Sequence, residues 1–316
     1  MDNKNVLVTG CAGFIGSHMV DLLLQKNYNV VGVDCFTYAA NKSNLESAIL
    51  DDRFKLHILD ICDTESIESI CIKNDIGWII NFAAESHVDN SINDVDPFIH
   101  SNIQGTISLL NVCRTLGTKI LHISTDEVYG STNEGSFVET DRLNPRNPYS
   151  SSKAAAEHFV ASYHNTYGIT YKMVRMSNNF GPRQHSEKLI PTVVRSIASS
   201  CGIPVYGDGK NVRDWFYVKD CVGMVLDVLT KGVENETYNL THCNEMKNIS
   251  VITMICEIMK ADPSKAITFV KDRPGHDFRY SISNSKVKKI GISNPTDFYE
   301  ALFDTVSSLN KSKEKS

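Results

Sequence analysis

Short apolar runs alternate with longer amphipathic stretches along more than half of this chain. Asn5-Val-Leu-Val-Thr9, Asn29-Val-Val-Gly-Val33, Phe54-Lys-Leu-His-Ile58, Trp78-Ile-Ile-Asn-Phe82, Lys119-Ile-Leu-His-Ile123 and Thr170–Met176 read as strands. Most are apolar on both sides of the pleat, the mark of strands buried in a parallel sheet. Helical periodicity fills the gaps, at Ser17–Lys26, 64–73, Asp96–Leu116 and from Tyr149 to about Tyr167. Strands alternating with helices predict an α/β protein built on a doubly wound parallel sheet. Such sheets hold their ligands in the crevice at the carboxyl ends of the strands, so the residues just after each run are where chemistry is expected.

After the first strand comes Gly10-Cys-Ala-Gly13-Phe-Ile-Gly16, which then opens a helix. Glycines there let the backbone turn tightly and approach a pyrophosphate, and the helix start supplies amides for it. Asp34 ends the second strand, eighteen residues after Gly16. An acid in that place suits a ribose diol and disfavours a 2'-phosphate, so NAD is expected over NADP. Asp60-Ile61 follows the third strand and can border an adenine. Ala83-Ala84 follows the fourth, where small side chains let a cofactor pass. His87 nearby is more often a structural histidine than a catalyst. After the fifth strand, Thr125-Asp126-Glu127 sets a hydroxyl and two carboxylates at the crevice, where two acids can divide acid and base work. Alternatively, Thr125 and Asp126 cap the next turn. Tyr149 and Lys153, four apart, share one face of any helix that carries them.

Composition narrows the classes. With 316 residues, 41% hydrophobic, the chain can bury a full core. A net charge of -5 gives no basic field for nucleic acid. No apolar run approaches the roughly 20 residues of a membrane helix, and a first strand at Asn5 leaves no room for a signal peptide, so a cytoplasmic location is expected. The nine cysteines show no C-x-x-C pair and read as reduced thiols in the core. No metal site is expected. Residues 311–316 read as a frayed tail.

Four segments together, Gly10-x-x-Gly13-x-x-Gly16, Ala83-Ala-Glu-Ser-His-Val88, Thr125-Asp-Glu-Val-Tyr-Gly130 and Tyr149-x-x-x-Lys153, resemble the extended short-chain dehydrogenase/reductases. Within them the chain is similar to the nucleoside-diphosphate (NDP) glucose 4,6-dehydratases of the dTDP-glucose type. The Thr-Asp-Glu triplet carries the finer likeness. Sugar epimerases have no carboxylate pair there, and UDP-glucuronate decarboxylases and GDP-mannose dehydratases usually have Ser in place of Asp126.

The resemblance implies a Rossmann domain over 1–176 and a mainly substrate-binding region over 177–310. It implies NAD held by Gly10, Gly13, Phe14, Ile15, Gly16, Asp34, Phe36, Thr37, Asp60, Ile61, Phe82, Ala83, Ala84, Ser101, Tyr149, Lys153 and Asn179. An NDP-glucose would meet Ser86, Thr125, Asn178, Lys188, Leu189, Pro204, Tyr206, Arg213, Asn248, Arg273 and His276. Thr125, Asp126, Glu127, Tyr149 and Lys153 would be catalytic. Lys153 and the positive nicotinamide are expected to lower the Tyr149 pKa so that its phenolate acts as base. The short stretch from Gly130 to Tyr149 leans toward UDP-glucose, while the best-known members use dTDP-glucose. A homodimer through helices 96–116 and 149–166 is also implied. An epimerase, a decarboxylase or a silent NAD-binding scaffold are the alternatives; Asp126 with Glu127 argues against the first two, and the intact five-residue set against the scaffold.

Overall fold

The computed structural model describes residues 3–271, 279–292 and 294–311. Among these the strands are β1 (Asn5–Thr9), β2 (Asn29–Asp34), β3 (Phe54–Ile58), β4 (Trp78–Asn81), β5 (Lys119–Thr125), β6 (Tyr171–Met176), β7 (Asn178–Phe180), β8 (Ile203–Tyr206), β9 (Val212–Tyr217), β10 (Glu236–Leu240), β11 (Glu245–Lys247) and β12 (Ile267–Val270). Seven of them form one sheet in the order β10-β6-β5-β4-β1-β2-β3, every pair parallel. This is a Rossmann sheet, with its strand order reversing between β1 and β4.

Alternation along the strands sorts the core into two layers. In β1, Val6 and Val8 join the cluster formed with Met19, Leu23 and Val225, whereas Leu7 joins Ile79, Leu109 and Val160 on the other face. Helices Phe14–Gln25 and Val218–Lys231 cover the first face; Thr64–Lys73, Gly105–Leu116 and Pro148–Tyr167 cover the second. A third cluster, around Phe180, Val194, Trp215 and Ile252, lies beneath the smaller sheets β11-β9-β7 and β12-β8. The sheet crosses the boundary expected at 176, because β10 pairs with β6 from Glu236↔Lys172 to Leu240↔Met176.

Three local features differ from the periodicity. The first helix begins at Phe14, inside the glycine run. Val88–Asn93 forms a short helix capped by His87, whose Nδ1 accepts from the Asn90 amide at 3.3 Å. The helix expected over Asp96–Leu116 is interrupted by a π-helical turn at Ile99–Gln104. The Asn102 side chain on this turn donates to the Glu85 carbonyl and the Ser152 hydroxyl, and accepts from the Glu85 amide. These tertiary bonds are invisible to sequence periodicity, and π turns of this kind occur where a helix serves a site.

Candidate active site

Strand β5 ends at Thr125 and runs directly into a 3-10 turn, Asp126–Tyr129. The Thr125 hydroxyl caps this turn, accepting from the Glu127 amide at 3.2 Å, and donates to Asp126 Oδ1 at 3.2 Å. The capping alternative therefore holds together with the placement at the crevice. Asp126 is buried, and its Oδ2 has no hydrogen-bond partner among the described residues. Burial, then the charges of Glu127 and Asp214, push its pKa well above the ordinary carboxylate value, with Arg213 opposing. Such surroundings favour the protonated carboxyl over the carboxylate. Glu127 is half-buried and accepts weakly from Asn147 Nδ2 at 3.5 Å.

The Pro148–Tyr167 helix is fixed at its start by a capping box, Asn147 with Ser150, and by proline at its first position. The Tyr149 amide also donates to the Ser91 hydroxyl oxygen at 3.2 Å. That geometry brings the Tyr149 hydroxyl to a hydrogen bond with Thr125. The Tyr149 pKa departs from expectation, since burial and then the Glu127 charge push it up. Lys153 does not counter this: its Nζ donates to the Ile123 carbonyl at 2.7 Å, and burial lowers its own pKa to about 8 against the opposing charge of Glu157. The protein alone thus disfavours the phenolate, leaving the nicotinamide charge as the cation that could favour it.

Ten of the residues expected at the cofactor line one cleft: Gly10, Gly13, Asp34, Thr37, Asp60, Ile61, Phe82, Ala83, Ala84 and Ser101. Cys35 and Glu85 join them unforeseen. Phe14, Ile15 and Gly16 form the first turn of the helix behind it. Gly10 has φ +62, and a Cβ there would lie 2.7 Å from the Ala83 amide nitrogen; one on Gly16 would lie 2.1 Å from the Gly10 carbonyl oxygen. Neither position admits a side chain. The Asp34 carboxylate accepts from the Ala12 and Phe36 amides at 2.9 and 2.8 Å, which fixes it at the rim. The helix at Phe14 has no side-chain cap and no acid in its first turn, so its leading amides are free to meet an anion. These features fit a dinucleotide. Asn179 donates to the Ser177 carbonyl, and its buried Oδ1 lacks a partner among the described residues.

The residues expected at the substrate lie on several separate segments. Asn178 starts β7 with a buried Oδ1 that has no partner among the described residues, and Asn248 starts the Asn248–Ile258 helix in the same condition. Lys188 precedes the Leu189–Ala198 helix, 3.7 Å from Glu187, while Leu189 packs into the third core cluster. Pro204 and Tyr206 lie on β8, Tyr206 with its ring exposed. Arg213, on β9, stacks over Tyr280 at 4.8 Å and acts electrostatically on Asp126, which ties it to the acid and base turn. Ser86 is exposed in the loop before His87. Arg273 and His276 lie outside the described residues.

A family model, that of GDP-mannose 4,6 dehydratase, matches residues 7–304. The chain belongs to this family. It is 43% identical over 94% of its length to the low-salt glycan biosynthesis protein Agl12 of Haloferax volcanii, with 96% of that protein covered. Its identity to the dTDP-glucose 4,6-dehydratase of Haemophilus influenzae is 40%, over 96% of each chain. DesIV, a dTDP-glucose 4,6-dehydratase of Streptomyces venezuelae crystallised with NAD bound, shares the fold at a TM-score of 0.95 and 37% identity, over 98% of both chains. Membership in the family agrees with a Tyr-x-x-x-Lys helix laid against a carboxylate pair.

Sequence reasoning missed Ser91, Asn102 and Asp214. Asp214 is buried, accepts from Thr241 and Asn244, and is pushed up to about 6 by its burial. No periodicity marked it, because β9 is buried on both faces from Asp214 onward. Asp60, Cys62 and His100 also meet, with ligand atoms within 4.8 Å. Both His100 nitrogens are already engaged, by Asp60 at 2.9 Å and Gln104 at 3.2 Å, and the Cys62 thiol is pushed up to about 12, first by burial. The trio reads as the hydrogen-bonded rim of the cleft and not as a metal site. All nine thiols are free, but only five are buried, so the expectation of core cysteines holds for Cys11, Cys71, Cys113, Cys221 and Cys256.

Proposed function

We infer that this chain is an NAD-dependent NDP-glucose 4,6-dehydratase, which converts its substrate to the 4-keto-6-deoxy sugar nucleotide and water. The observation that carries the reading is Asp126, a buried carboxyl whose pKa is pushed up, beside the more open Glu127, at the end of the strand that faces Tyr149 and Lys153. Two carboxyl groups in different environments can serve as acid and base in one cycle. An epimerase needs neither group, and Asp126 also sets the chain apart from relatives with Ser at that place.

The cofactor supplies the hydride acceptor for C4 and afterwards the donor for C6. The protein's residues do the rest. Tyr149 takes the proton of the 4-hydroxyl, and Thr125, already bonded to the phenol, hydrogen-bonds the same oxygen. Lys153 is anchored on the Ile123 carbonyl and keeps a positive charge near the phenol below about pH 8. The ketone formed at C4 acidifies the C5 proton, which Glu127 removes. Asp126 donates its proton to the departing 6-hydroxyl, which leaves as water. A proton returns to C5 as the cycle closes, with no net redox change.

Residues 177–310 provide most of the substrate side in this reading, with Arg213 as the phosphate ligand suited by its planar fork. Helices 96–116 and 149–166 form the homodimer interface; Ile99 and Phe159, apolar and exposed on them, support this. A cytoplasmic site of action belongs to the same proposal. Base preference is relative and not absolute, since discrimination by one methyl or hydroxyl is worth about 1–3 kcal/mol. Comparing kcat/KM for dTDP-glucose and UDP-glucose measures it. The decisive test gives purified protein an NDP-glucose alone and weighs the product. Loss of one water is expected; an isomer of unchanged mass would install the epimerase, and no turnover despite bound NAD the scaffold.

A further inference from the structure

Beneath the acid and base turn lies a buried charged group that no step of the reaction uses. Arg175 of β6 is flanked in the sheet by Ser124 of β5 and Asn239 of β10. Its Nε donates to the Glu157 carboxylate at 3.0 and 3.1 Å, and its Nη2 donates to Glu157 Oε2 at 2.7 Å. The remaining nitrogen, Nη1, donates to the Tyr129 hydroxyl at 2.5 Å and the Glu139 carbonyl at 3.2 Å. The Tyr129 hydroxyl in turn donates a hydrogen bond to Asn239 Oδ1 at 2.9 Å, and its ring stacks on Phe137 at 5.1 Å between centroids. Glu157, Arg175, Tyr129 and Asn239 are all buried.

The two ends of this network are the two halves of the site. Tyr129 closes the turn that begins with Asp126 and Glu127. Glu157 lies one helical turn past Lys153 and two past Tyr149, on the same helix. A buried ion pair is a poor stabiliser, because desolvation of both charges offsets their attraction and apolar groups of equal volume would serve as well. What it does provide is direction: several charge-assisted bonds whose angles admit one arrangement of the three elements.

We propose that Glu157, Arg175 and Tyr129 are positioning residues that hold the Asp126–Glu127 turn in register with the Tyr149–Lys153 helix, so that water loss follows C4 oxidation without a shift of the sugar. This rests on the dehydratase reading. Glu157 has a second effect through Lys153. The titratable groups that face Lys153 are Glu157 and Tyr149 on its own helix and His122 of β5, which burial keeps neutral. Glu157 is therefore the anion that sustains the ammonium.

The test uses full-length enzyme with NAD and an NDP-glucose, and follows reduced-dinucleotide absorbance, water loss and solvent deuterium at C5. Tyr129→Phe removes one hydroxyl and keeps the stacking. It should slow water loss about tenfold or more while C4 oxidation persists, so that the reduced dinucleotide accumulates with little change in KM. Amide exchange of the 126–130 segment should rise in the same variant without substrate. Glu157→Gln should move the alkaline limb of C4 oxidation to lower pH, since removing a neighbouring anion lowers a lysine's pKa. Wild-type partition in Tyr129→Phe, or an unmoved alkaline limb in Glu157→Gln, overturns the proposal and leaves the network as packing. Wild-type enzyme and Glu127→Gln, run beside them, expose failure of the parent reading: the first would release no water, or the second would not stall.

Discussion

Asp126 and Glu127 are neighbours in sequence, yet one is sealed and the other half-open, and the proposed mechanism gives them separate steps. Glu127→Gln should leave C4 oxidation intact and stop C5 deprotonation, so reduced dinucleotide accumulates and solvent deuterium fails to enter C5. Asp126→Asn should keep C5 exchange and slow water loss by about 10²–10⁴-fold, the usual range for general acid catalysis. Loss of C4 oxidation in folded Asp126→Asn would refute this division. Lys153 sets a further expectation. Its folded pKa is lowered to about 8, so its charge is full below that pH and lost above it; the first oxidation should fall as pH rises through about 8, read by stopped-flow absorbance. At this scale the sequence made Thr125, Asp126 and Glu127 legible as candidates, because strand ends in a parallel sheet face the ligand. It could not announce the upward push on Tyr149, which comes from burial and from Glu127 across the turn.

Among the elements, the strands and the glycine turn were legible, since an unbroken apolar run followed by Gly10 and Gly16 admits few structures. Gly16→Ala should therefore be costly. Its Cβ would press on the Gly10 carbonyl at 2.1 Å, a backbone atom that cannot yield without opening the turn. A loss of about 1–3 kcal/mol is expected from overpacking, together with loss of the upward shift in melting temperature that NAD gives the wild type. Thermal unfolding with and without NAD measures both; an unchanged shift would show that the turn does not meet the dinucleotide. The π turn at Ile99–Gln104 was not legible. Its cause is Asn102 bonding across to Glu85 and Ser152, and no local pattern encodes a partner fifty residues away.

For the whole molecule, the sequence indicated the doubly wound core but not that β10 returns to complete the sheet after the substrate side has begun, because Glu236–Leu240 carries no signal of its partner. The outer surface of the two long helices carries the last expectation. Helices Gly105–Leu116 and Pro148–Tyr167 lie side by side, joined by a Tyr163 hydroxyl to Asn111 bond at 3.0 Å and by Arg114 stacked on Tyr167 at 4.9 Å. Ile99, on the π-helical turn that leads into the first, is 39% exposed, and Phe159 and Tyr167 on the second are 37% and 50% exposed. Single exposed apolar residues mean little, but several on one pair of helices suit a two-fold interface, in which each substitution is met by its own copy. Ile99→Glu with Phe159→Glu would set like charges against each other across that axis without disturbing a buried contact. Light scattering should give twice 35.2 kDa for the wild type and 35.2 kDa for the variant, with an unchanged melting profile at low concentration. A wild-type monomer would remove the interface altogether, and a variant that stays dimeric would move it to another face.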